Sequence, residues 1–394
     1  MQIRSLLLQN FRSYGKAAFN FPPGVTLLIG PNAIGKTNIM EALYVLATGK
    51  SFRAEKDSDM VAWGEEIARI SAQISNIKYQ ISNKYPASPA GRQNIKDKSE
   101  ETKLELVVTT GMVNSVKVPV KKYLVNGVTR RQIDFMGNLR VVLFSPQDLE
   151  IVTDSPSLRR QYLNSVLVQT DREYRRNLYS YERGLRQRNR LLDFIKEGKA
   201  SRSQLLFWNQ LLIRTGSYLT SVRQSYIDSI NTYELDDFHY RLVYDKSIIS
   251  QSRLDQYKEE EVAAGSTLVG PQRDDFIVTK SQISLRRQGY GGQANLKSQD
   301  AEEWRDVSRF GSRGEQRLAV LWVKLAELEY SKNITGERPV LMLDDIFSEL
   351  DSESRKIVLS IIHQQQTIIT SAEEEVVQLF NKTKNVKIIT LPIS

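Results

Sequence analysis

The chain has no cysteine and only two histidines, and these shortages exclude several classes of protein. Without cysteine there is no disulfide framework, no thiol nucleophile and no cysteine-ligated zinc. His239 and His363 are too few for a histidine-rich metal centre, and a lone histidine is more often packed or solvated than catalytic. No apolar run approaches the roughly 18 residues of a membrane span, and the N-terminal apolar run is too short for a secretory signal. We expect a cytoplasmic protein with no membrane partner.

Positive charge is concentrated in the middle of the chain. Lysine and arginine outnumber aspartate and glutamate by 55 to 46, and the net charge of +9 favours a polyanionic partner. Residues 155–202 contain 12 basic and 5 acidic residues, and the difference of 7 supplies most of that excess. In the same stretch Tyr174, Leu178, Tyr181 and Leu185 recur at helical spacing, which predicts one buried helix face. We predict an antiparallel helical arm here.

The segments on either side of this arm have the pattern of an α/β fold. Residues 1–29 are typical of a β-meander whose last strand, Val25–Ile29, is fully buried. Apolar strands alternating with helices return after the arm, which indicates a largely parallel sheet. The predicted domains are the N-terminal part of an α/β lobe at 1–150, the helical arm at 151–261, and the C-terminal part of the lobe at 262–394.

The stretch "GPNAIGKTN" matches the phosphate-loop pattern G-x-x-x-x-G-K-[ST] between a predicted strand and a predicted helix. In such a loop the backbone N–H groups and the helix N-terminus hold phosphates, lysine adds positive charge, and the Ser/Thr hydroxyl ligates Mg²⁺. The helix has Ile39, Leu43 and Leu46 on one face. We expect ATP and Mg²⁺ as ligands, held by Gly30, Pro31, Asn32, Ala33, Ile34, Gly35, Lys36, Thr37 and Asn38.

A second motif, the acidic strand end "VLMLDD", supplies the other half of a phosphohydrolase site. Asp344 is predicted to hold Mg²⁺, directly or through water. Asp345 is predicted to be catalytic, together with Lys36, because it is placed to orient or deprotonate an attacking water. An aspartate reaches less far than a glutamate, so we expect slow turnover.

The arm arginines are candidates for contacts with DNA phosphates, which position a protein without reading sequence. A solvated helix face with acidic partners is the alternative interpretation. Tyr174, Tyr179 and Tyr181 are candidates for stacking on bases, although their spacing suits a packed helix face better. The DNA-binding candidates are Arg175, Arg176, Arg183, Arg186, Arg188 and Arg190.

Nine short blocks follow one another along nearly the whole chain: "LQNFRSY", "GPNAIGKTNIMEAL", "TGKSFRA", "FSPQDL", "DSPSLRRQYLN", "LRQRNRLL", "LVGPQRDDF", "FGSRGEQRLA" and "LDDIFSELD". In this order they resemble the RecF family of bacterial recombination-repair ATPases. Any one block is weak, but nine in order are highly specific. The resemblance implies a P-loop NTPase fold of the ABC/SMC-head type with an inserted helical arm domain.

The resemblance also implies a nucleotide site shared between two molecules. In this ATPase group a signature at a helix N-terminus contacts the γ-phosphate bound by the other subunit. Carried over, the signature would be Ser312, Arg313, Gly314 and Glu315, and the segment Ser348–Asp351 would lie at the same interface.

Three further residues receive roles from the same resemblance. Gln147 lies near the position of a glutamine that senses Mg²⁺ and water. Arg12 is a candidate phosphate contact, with a surface arginine as the equal alternative. Arg273 is expected to form a salt bridge with Asp274 or Asp275.

The sequence departs from the family pattern in four places. Ala33 stands where these loops often have glycine, and Gln272 stands at a position that is usually histidine. The signature reads Ser-Arg-Gly-Glu-Gln, where RecF proteins usually have Ser-Gln-Gly-Gln, so Arg313 and Glu315 alter its charge. The segment before the signature, residues 286–307, is longer than expected.

The resemblance implies an ATP-dependent DNA-binding protein of recombinational repair and replication maintenance. ATP would close two subunits on duplex or gapped DNA, slow hydrolysis (a weak, DNA-stimulated ATPase) would release them, and RecR and RecO would be partners in loading RecA. Two alternatives stay open: a P-loop phosphotransferase whose arm closes over a small acceptor, and a nucleotide-bound scaffold that never hydrolyses. A transporter ATPase is the least favoured, because the strand after "VLMLDD" ends in "TSA" without the usual histidine.

Overall fold

The computed structural model describes residues 1–77, 99–235, 239–281, 304–372, 375–380 and 386–392. The chain divides into two compact units. The first consists of Met1–Phe144, Glu337–Glu349 and Arg355–Ser394, and the second of Ser145–Gly336 and Leu350–Ser354. In the described part of the chain, no helix has both the length and the apolar character needed to cross a bilayer.

The first unit contains a six-stranded antiparallel sheet. Alternation of apolar and polar residues buries one face, on which Leu6, Leu8 and Ile70 are almost fully covered. A small separate hairpin is formed by β6 (Met112–Val113) and β7 (Val116–Lys117). In spatial order the six strands are β2 (Tyr14–Asn20), β1 (Gln2–Phe11), β4 (Ile67–Ile77), β5 (Ser99–Thr109), β8 (Lys121–Val125) and β9 (Val128–Arg130).

The second sheet of this unit is parallel and carries the phosphate loop. Its spatial order is β10 (Val141–Phe144), β14 (Val340–Asp344), β15 (Thr367–Ser371), β3 (Val25–Ile29) and β16 (Val386–Thr390). Every residue of the first four strands is buried, as expected for a parallel sheet that is covered on both faces. Helix α1 (Lys36–Thr48) follows β3 directly and buries Ile39, Leu43 and Leu46, which confirms the predicted face. Another short helix is α2 (Gln132–Phe135).

The second unit is mainly helical. Helices α5 (Arg172–Lys196) and α6 (Leu206–Asn231) run antiparallel, because Arg188 bonds Asn209 while Tyr174 bonds Arg223 further along. The predicted helical hairpin is therefore confirmed, and Tyr174 and Tyr181 are buried in it. Its other elements are α3 (Glu150–Thr153), α4 (Pro156–Thr170), β11 (Tyr240–Asp245), α7 (Gln251–Gln256), α8 (Lys258–Ala264), β12 (Asp275–Ser281), β13 (Trp304–Asp306), α9 (Val307–Phe310) and α10 (Arg313–Thr335).

The last two helices along the described part of the chain are α11 (Ser352–Ile361) and α12 (Glu375–Phe380). Strands β11, β12 and β13 form a small antiparallel sheet of the second unit.

Two expectations about organisation differ from the structure. Residues 1–29 do not form a meander, because β1 and β2 pair as a hairpin while β3 joins the parallel sheet. The units also do not divide at residue 261, because α10 packs on α6 and α4 and so belongs to the helical unit. Most of the polar stretch at residues 83–101, and most of the long segment at 286–307, lie outside the described residues.

Buried ion pairs knit the helical unit together and correct the expectation for Arg273. Asp274 is fully buried and accepts from Arg223 Nη1 at 2.8 Å and from the hydroxyl of Tyr244. Asp275 accepts from Arg159 Nε at 2.6 Å. Both predicted partners of the exposed Arg273 are therefore used by other arginines, which reach them from neighbouring helices.

The unusual Gln272 is part of the same packing. Its Oε1 accepts from the hydroxyl of Tyr181, and its Nε2 donates to the backbone oxygen of Val269 at 3.0 Å. Gln272 therefore connects the "GPQRDD" turn to α5.

Candidate functional site

The phosphate loop joins β3 to α1 through two residues of left-handed backbone. Gly35 has φ 105° and Ala33 has φ 65°, so alanine adopts the conformation for which glycine is the usual residue. A Cβ added at Gly35 would lie 2.8 Å from Tyr14 Oη, and that hydroxyl donates to the Gly35 backbone oxygen at 3.2 Å. Tyr14 therefore closes against the loop and requires glycine at 35.

Lys36 lies folded against the loop. Its Nζ donates to the backbone oxygens of Gly30 at 2.7 Å and Pro31 at 2.9 Å. Burial lowers the pKa of Lys36, and the charges of Asp345 and Asp344 partly oppose that shift. A phosphate group would offer this ammonium better acceptors than two neutral carbonyls.

The predicted Mg²⁺ ligands lie side by side in the first unit. Thr37 Oγ1 donates to Asp344 Oδ1 at 3.2 Å, and Thr370 Oγ1 donates to the same oxygen at 2.6 Å. Burial raises the pKa of Asp344, while the two threonine hydroxyls lower it. Neighbouring ligands of an octahedral Mg²⁺ with bonds near 2.1 Å lie about 3 Å apart, so Thr37 and Asp344 fit this ion.

A cation at this position would need further ligands. Among the described residues, no group of three or more His, Cys, Asp or Glu side chains could hold a metal by itself. Phosphate oxygens and waters would therefore complete the shell, which is how Mg²⁺ is usually bound in phosphate-loop proteins.

Asp345 has a strained backbone at the end of β14. Its φ of 54° and ψ of 29° are left-handed, and its N–H donates to Thr370 Oγ1 at 3.0 Å. Such conformations cost on the order of 1–3 kcal/mol and concentrate at functional sites. The hydroxyl of Ser348 donates to the Asp345 backbone oxygen at 2.9 Å, which supports the turn.

Polar side chains around the phosphate loop form contacts that the sequence did not predict. Arg12 forms an ion pair with the fully buried Glu41 of α1, with Nη2 and Oε1 2.5 Å apart, so it is neither a solvated surface arginine nor a free phosphate ligand. Asn38 accepts from Arg53 Nη1 at 3.3 Å and donates to Ser13 Oγ at 2.9 Å. The "NFRSY" and "TGKSFRA" blocks therefore meet at the phosphate loop, although one precedes the loop in the sequence and the other follows it; no local pattern signalled these contacts.

The signature lies at the start of α10 in the second unit, with Ser312, Arg313 and Gly314 exposed. Ser312 is the N-cap residue: its Oγ accepts from Glu315 N at 3.3 Å, and Glu315 Oε2 accepts from Ser312 N at 2.9 Å. This is a reciprocal capping box. Among the described residues, a Cβ added at Gly314 would meet only Ser312 Oγ, at 3.9 Å, so this position has open space beside it.

Gln147 lies in a short 3-10 helix, Pro146–Leu149, of the second unit and is exposed. Its neighbour Asp148 accepts from Ser145 N at 2.6 Å and from Lys324 Nζ of α10 at 2.9 Å. Lys324 also lies 3.5 Å from Glu327, and burial raises the pKa of Glu327 to about 7. A buried cluster thus links the Gln147 segment to the signature helix.

The six arm arginines divide into two groups. Arg188 is buried and donates to Asn209, Thr267 and Glu261, and Arg175 is half-buried with Nη1 on the Val168 backbone oxygen, so these two are corrected to internal roles. The other four are exposed on one face of α5: Arg176, Arg183, Arg186 and Arg190.

Comparisons with known proteins agree on one family. A model described as the RecF/RecN/SMC N terminal domain matches residues 2–391. The DNA replication and repair protein RecF of Herpetosiphon aurantiacus is 36% identical over 95% of this chain and 94% of its own length. The RecF of Thermomicrobium roseum is 34% identical over 96% and 95%. A solved structure of "the recombination mediator protein RecF-ATP in RecFOR pathway" is 28% identical with a TM-score of 0.75, over 94% of this chain and 92% of that one.

Proposed function

The chain belongs to the RecF family, and from this premise we propose that it is an ATP-controlled DNA-binding protein of replication and recombinational repair. The nucleotide would act as a clamp that joins two copies of the chain on DNA. Hydrolysis would reset the clamp.

One observation carries the ATP part of the proposal. Thr37, Asp344 and Asp345 come together beside Lys36 although they are some 300 residues apart in sequence, and Thr37 Oγ1 bonds Asp344 Oδ1 at 3.2 Å. Bound Mg²⁺ would polarise the phosphates. Thr37 and Asp344 would hold that ion, Lys36 would exchange its two carbonyl contacts for phosphate oxygens, and Asp345 would orient the attacking water.

The exposed signature supports completion of the site by a second molecule. Ser312 caps its helix. No atom of the residues that the structure describes lies close enough to Gly314 to exclude a side chain there. An uncovered helix N-terminus with a glycine in its first turn suits the close approach of an anionic group. We propose that this group is the γ-phosphate of ATP held by the partner copy.

The exposed arginines of α5 support DNA binding without sequence readout. Arg176, Arg183, Arg186 and Arg190 are spaced by seven, three and four residues, so they follow one helix face for about 21 Å. That length corresponds to roughly six base-pair steps of duplex DNA. Tyr174 and Tyr181 are buried and unavailable for stacking on bases, whereas Tyr179 is 53% exposed on α5 and stays a candidate for stacking beside the phosphate contacts.

The relatives' context supplies the partners. A structurally similar RecF is described in the RecFOR pathway. We propose RecR and RecO as partners of this chain, RecA loading at gapped DNA as the outcome, and the cytoplasm as the compartment.

Sedimentation velocity with ATP-Mg²⁺, with and without gapped duplex DNA, tests the clamp. Lys36→Met and Ser312→Ala should each abolish ATP-dependent dimers. Mixing the two variants should restore one composite site per dimer and about half of the wild-type ATPase rate, since an intact phosphate loop then meets an intact signature. Ser250→Ala, which removes a helix cap from α7 in the same unit, is the matched control. A mixture as inactive as its components would refute completion in trans and favour a phosphotransferase acting alone.

A further inference from the structure

The carboxylate of Glu315 joins two groups at the start of the signature helix. Its Oε1 accepts from Lys280 Nζ at 2.7 Å. Its Oε2 accepts from the Ser312 N–H at 2.9 Å and from the Ser312 hydroxyl at 3.1 Å. One carboxylate therefore lies between a lysine of β12 and the serine of the signature.

The small sheet of the second unit fixes this arrangement. Tyr240 of β11 and Lys280 of β12 are directly paired across the two strands. The Tyr240 hydroxyl donates to the Glu315 backbone oxygen at 3.1 Å, while Lys280 holds the side chain. The first turn of α10 is thus held by two adjacent residues of one strand pair, through its main chain and its side chain.

A carboxylate is a poor neighbour for a phosphate, because like charges repel. The capping box does not need that charge, since glutamine serves in the same position as well as glutamate does. Glu315 moreover accepts the hydroxyl proton of Ser312, and a hydroxyl has only one proton to donate. An unpaired Glu315 would both repel an incoming phosphate and compete with it for Ser312.

We propose that Lys280 is a positioning residue of the shared nucleotide site: it offsets the charge of Glu315, and so weakens both the repulsion of the partner's γ-phosphate and the hold of Glu315 on the Ser312 hydroxyl, which can then turn to that phosphate. This inference rests on the proposed function, because it requires the signature to act on ATP held by a second copy. Lys280 itself does not contact the phosphate; it acts through Glu315.

The electrostatics agree with this geometry. The hydrogen bond from Lys280 is the largest of the causes that lower the pKa of Glu315, so the carboxylate is ionised at neutral pH and its charge requires compensation. Lys280 is only 23% exposed and Glu315 31%, so solvent screens the pair incompletely.

Charge neutralisation of the two residues, singly and together, tests the proposal. Lys280→Met should raise the ATP concentration needed for half-maximal dimerisation about tenfold, since one carboxylate is then left uncompensated. Glu315→Gln keeps the capping box and removes the carboxylate charge that opposes the phosphate, so it should lower that concentration. The double variant should return to within about twofold of wild type, because no charge remains to be compensated. Lys246→Met removes an exposed lysine just after β11 and is the matched control.

The outcomes separate this role from a structural one. Rescue of Lys280→Met by Glu315→Gln, with unchanged thermal unfolding of all variants, supports the proposal. A double variant as weak as Lys280→Met would overturn it, since Lys280 would then matter for packing on Tyr240 rather than for charge. An undiminished Lys280→Met would overturn it as well. A wild-type chain that never dimerises with ATP would instead overturn the shared site itself, and this role of Lys280 with it.

Discussion

The two halves of the proposed nucleotide site are built in opposite ways. In the first unit, Lys36 and Asp344 are buried and hydrogen-bonded, and the backbone is left-handed at Ala33, Gly35 and Asp345. In the second unit, the signature is an exposed capped helix start whose glycine contacts almost nothing. The side chains of the first half bond one another, whereas at the second half the described residues leave open space beside Gly314. Strain within a chain and open space at its surface are thus separate signs of function.

Removal of the phosphate-binding charge should have the largest effect. Lys36→Met eliminates the only side-chain cation of the loop motif and should weaken ATP binding roughly 100-fold or more. Titration with a fluorescent ATP analogue measures it, with exposed Lys16→Met as the control. Retained binding would show that the first half does not depend on this charge.

The next effect concerns hydrolysis alone. Asp345→Asn should slow ATP turnover by about 10²–10⁴-fold, because the water loses its base, while ATP-dependent dimers persist. Asparagine tolerates left-handed backbone, so the turn after β14 should survive. Phosphate release at saturating ATP gives the rate, and sedimentation gives the dimer. Undiminished turnover would remove Asp345 from the chemistry and show that its strained backbone has another cause.

Alanine at two glycines sharpens the comparison most directly. Gly35→Ala places a methyl against Tyr14 in left-handed backbone and should lower the free energy of unfolding by about 1–3 kcal/mol. Gly314→Ala should raise it by about 0.5–1 kcal/mol, since alanine is the better helix former. The same change should weaken ATP-dependent dimers about tenfold, because the methyl occupies the space for the partner's phosphate. Urea denaturation and sedimentation measure the two effects, and an unchanged dimer in Gly314→Ala would break the comparison.

The helical unit also contains a carboxyl whose pKa is raised by burial. Glu327 faces Lys324, Asp148 and Tyr162, and its pKa is raised to about 7. Between pH 4.5 and 7 the unfolded chain has released a proton that the folded chain keeps, so this group makes the free energy of unfolding fall as pH rises. Glu327→Gln should remove this slope, and its stability relative to wild type should rise by on the order of 1–3 kcal/mol across the window. Urea denaturation at several pH values tests it, and Glu329→Gln on the same helix should leave the slope in place.

The smallest effect is expected at Ala33. Ala33→Gly should raise the free energy of unfolding by about 0.5–1 kcal/mol, because the strain of left-handed alanine exceeds the extra entropy of unfolded glycine. Urea denaturation measures the change. A destabilised variant would show that the loop is not strained at this residue.

The sequence predicted the parts whose geometry is local. The phosphate loop, its helix and the acid pair after β14 follow from motifs in which neighbours along the chain determine the chemistry. The meander was wrong because alternation identifies a strand but not the sheet that it joins. The domain boundary predicted at residue 261 was wrong, because the extent of the helical unit depends on which helices α10 packs against.

Arg188 is an instructive case, because its burial could have been predicted. Tyr174, Tyr181 and Leu192 are buried on one face of α5, and Arg188, seven residues after Tyr181 and four before Leu192, lies on the same face. Its charge suggested the surface, whereas its phase on the helix places it inside. The position of a residue around the helix axis was a better guide than its charge, since the same reasoning identifies the exposed arginines.

The place of β3 in the parallel sheet has a consequence for how the chain is made. This strand, which leads into the phosphate loop, lies between β15 and β16, more than 330 residues later. A nascent chain therefore carries a finished phosphate-loop sequence long before either flanking strand exists. Pairing over such separations is slow, and the parallel sheet cannot form fully before residues 386–390 have been made. A prematurely terminated chain cannot fold this sheet, so it would not capture nucleotide or enter a mixed complex with intact copies.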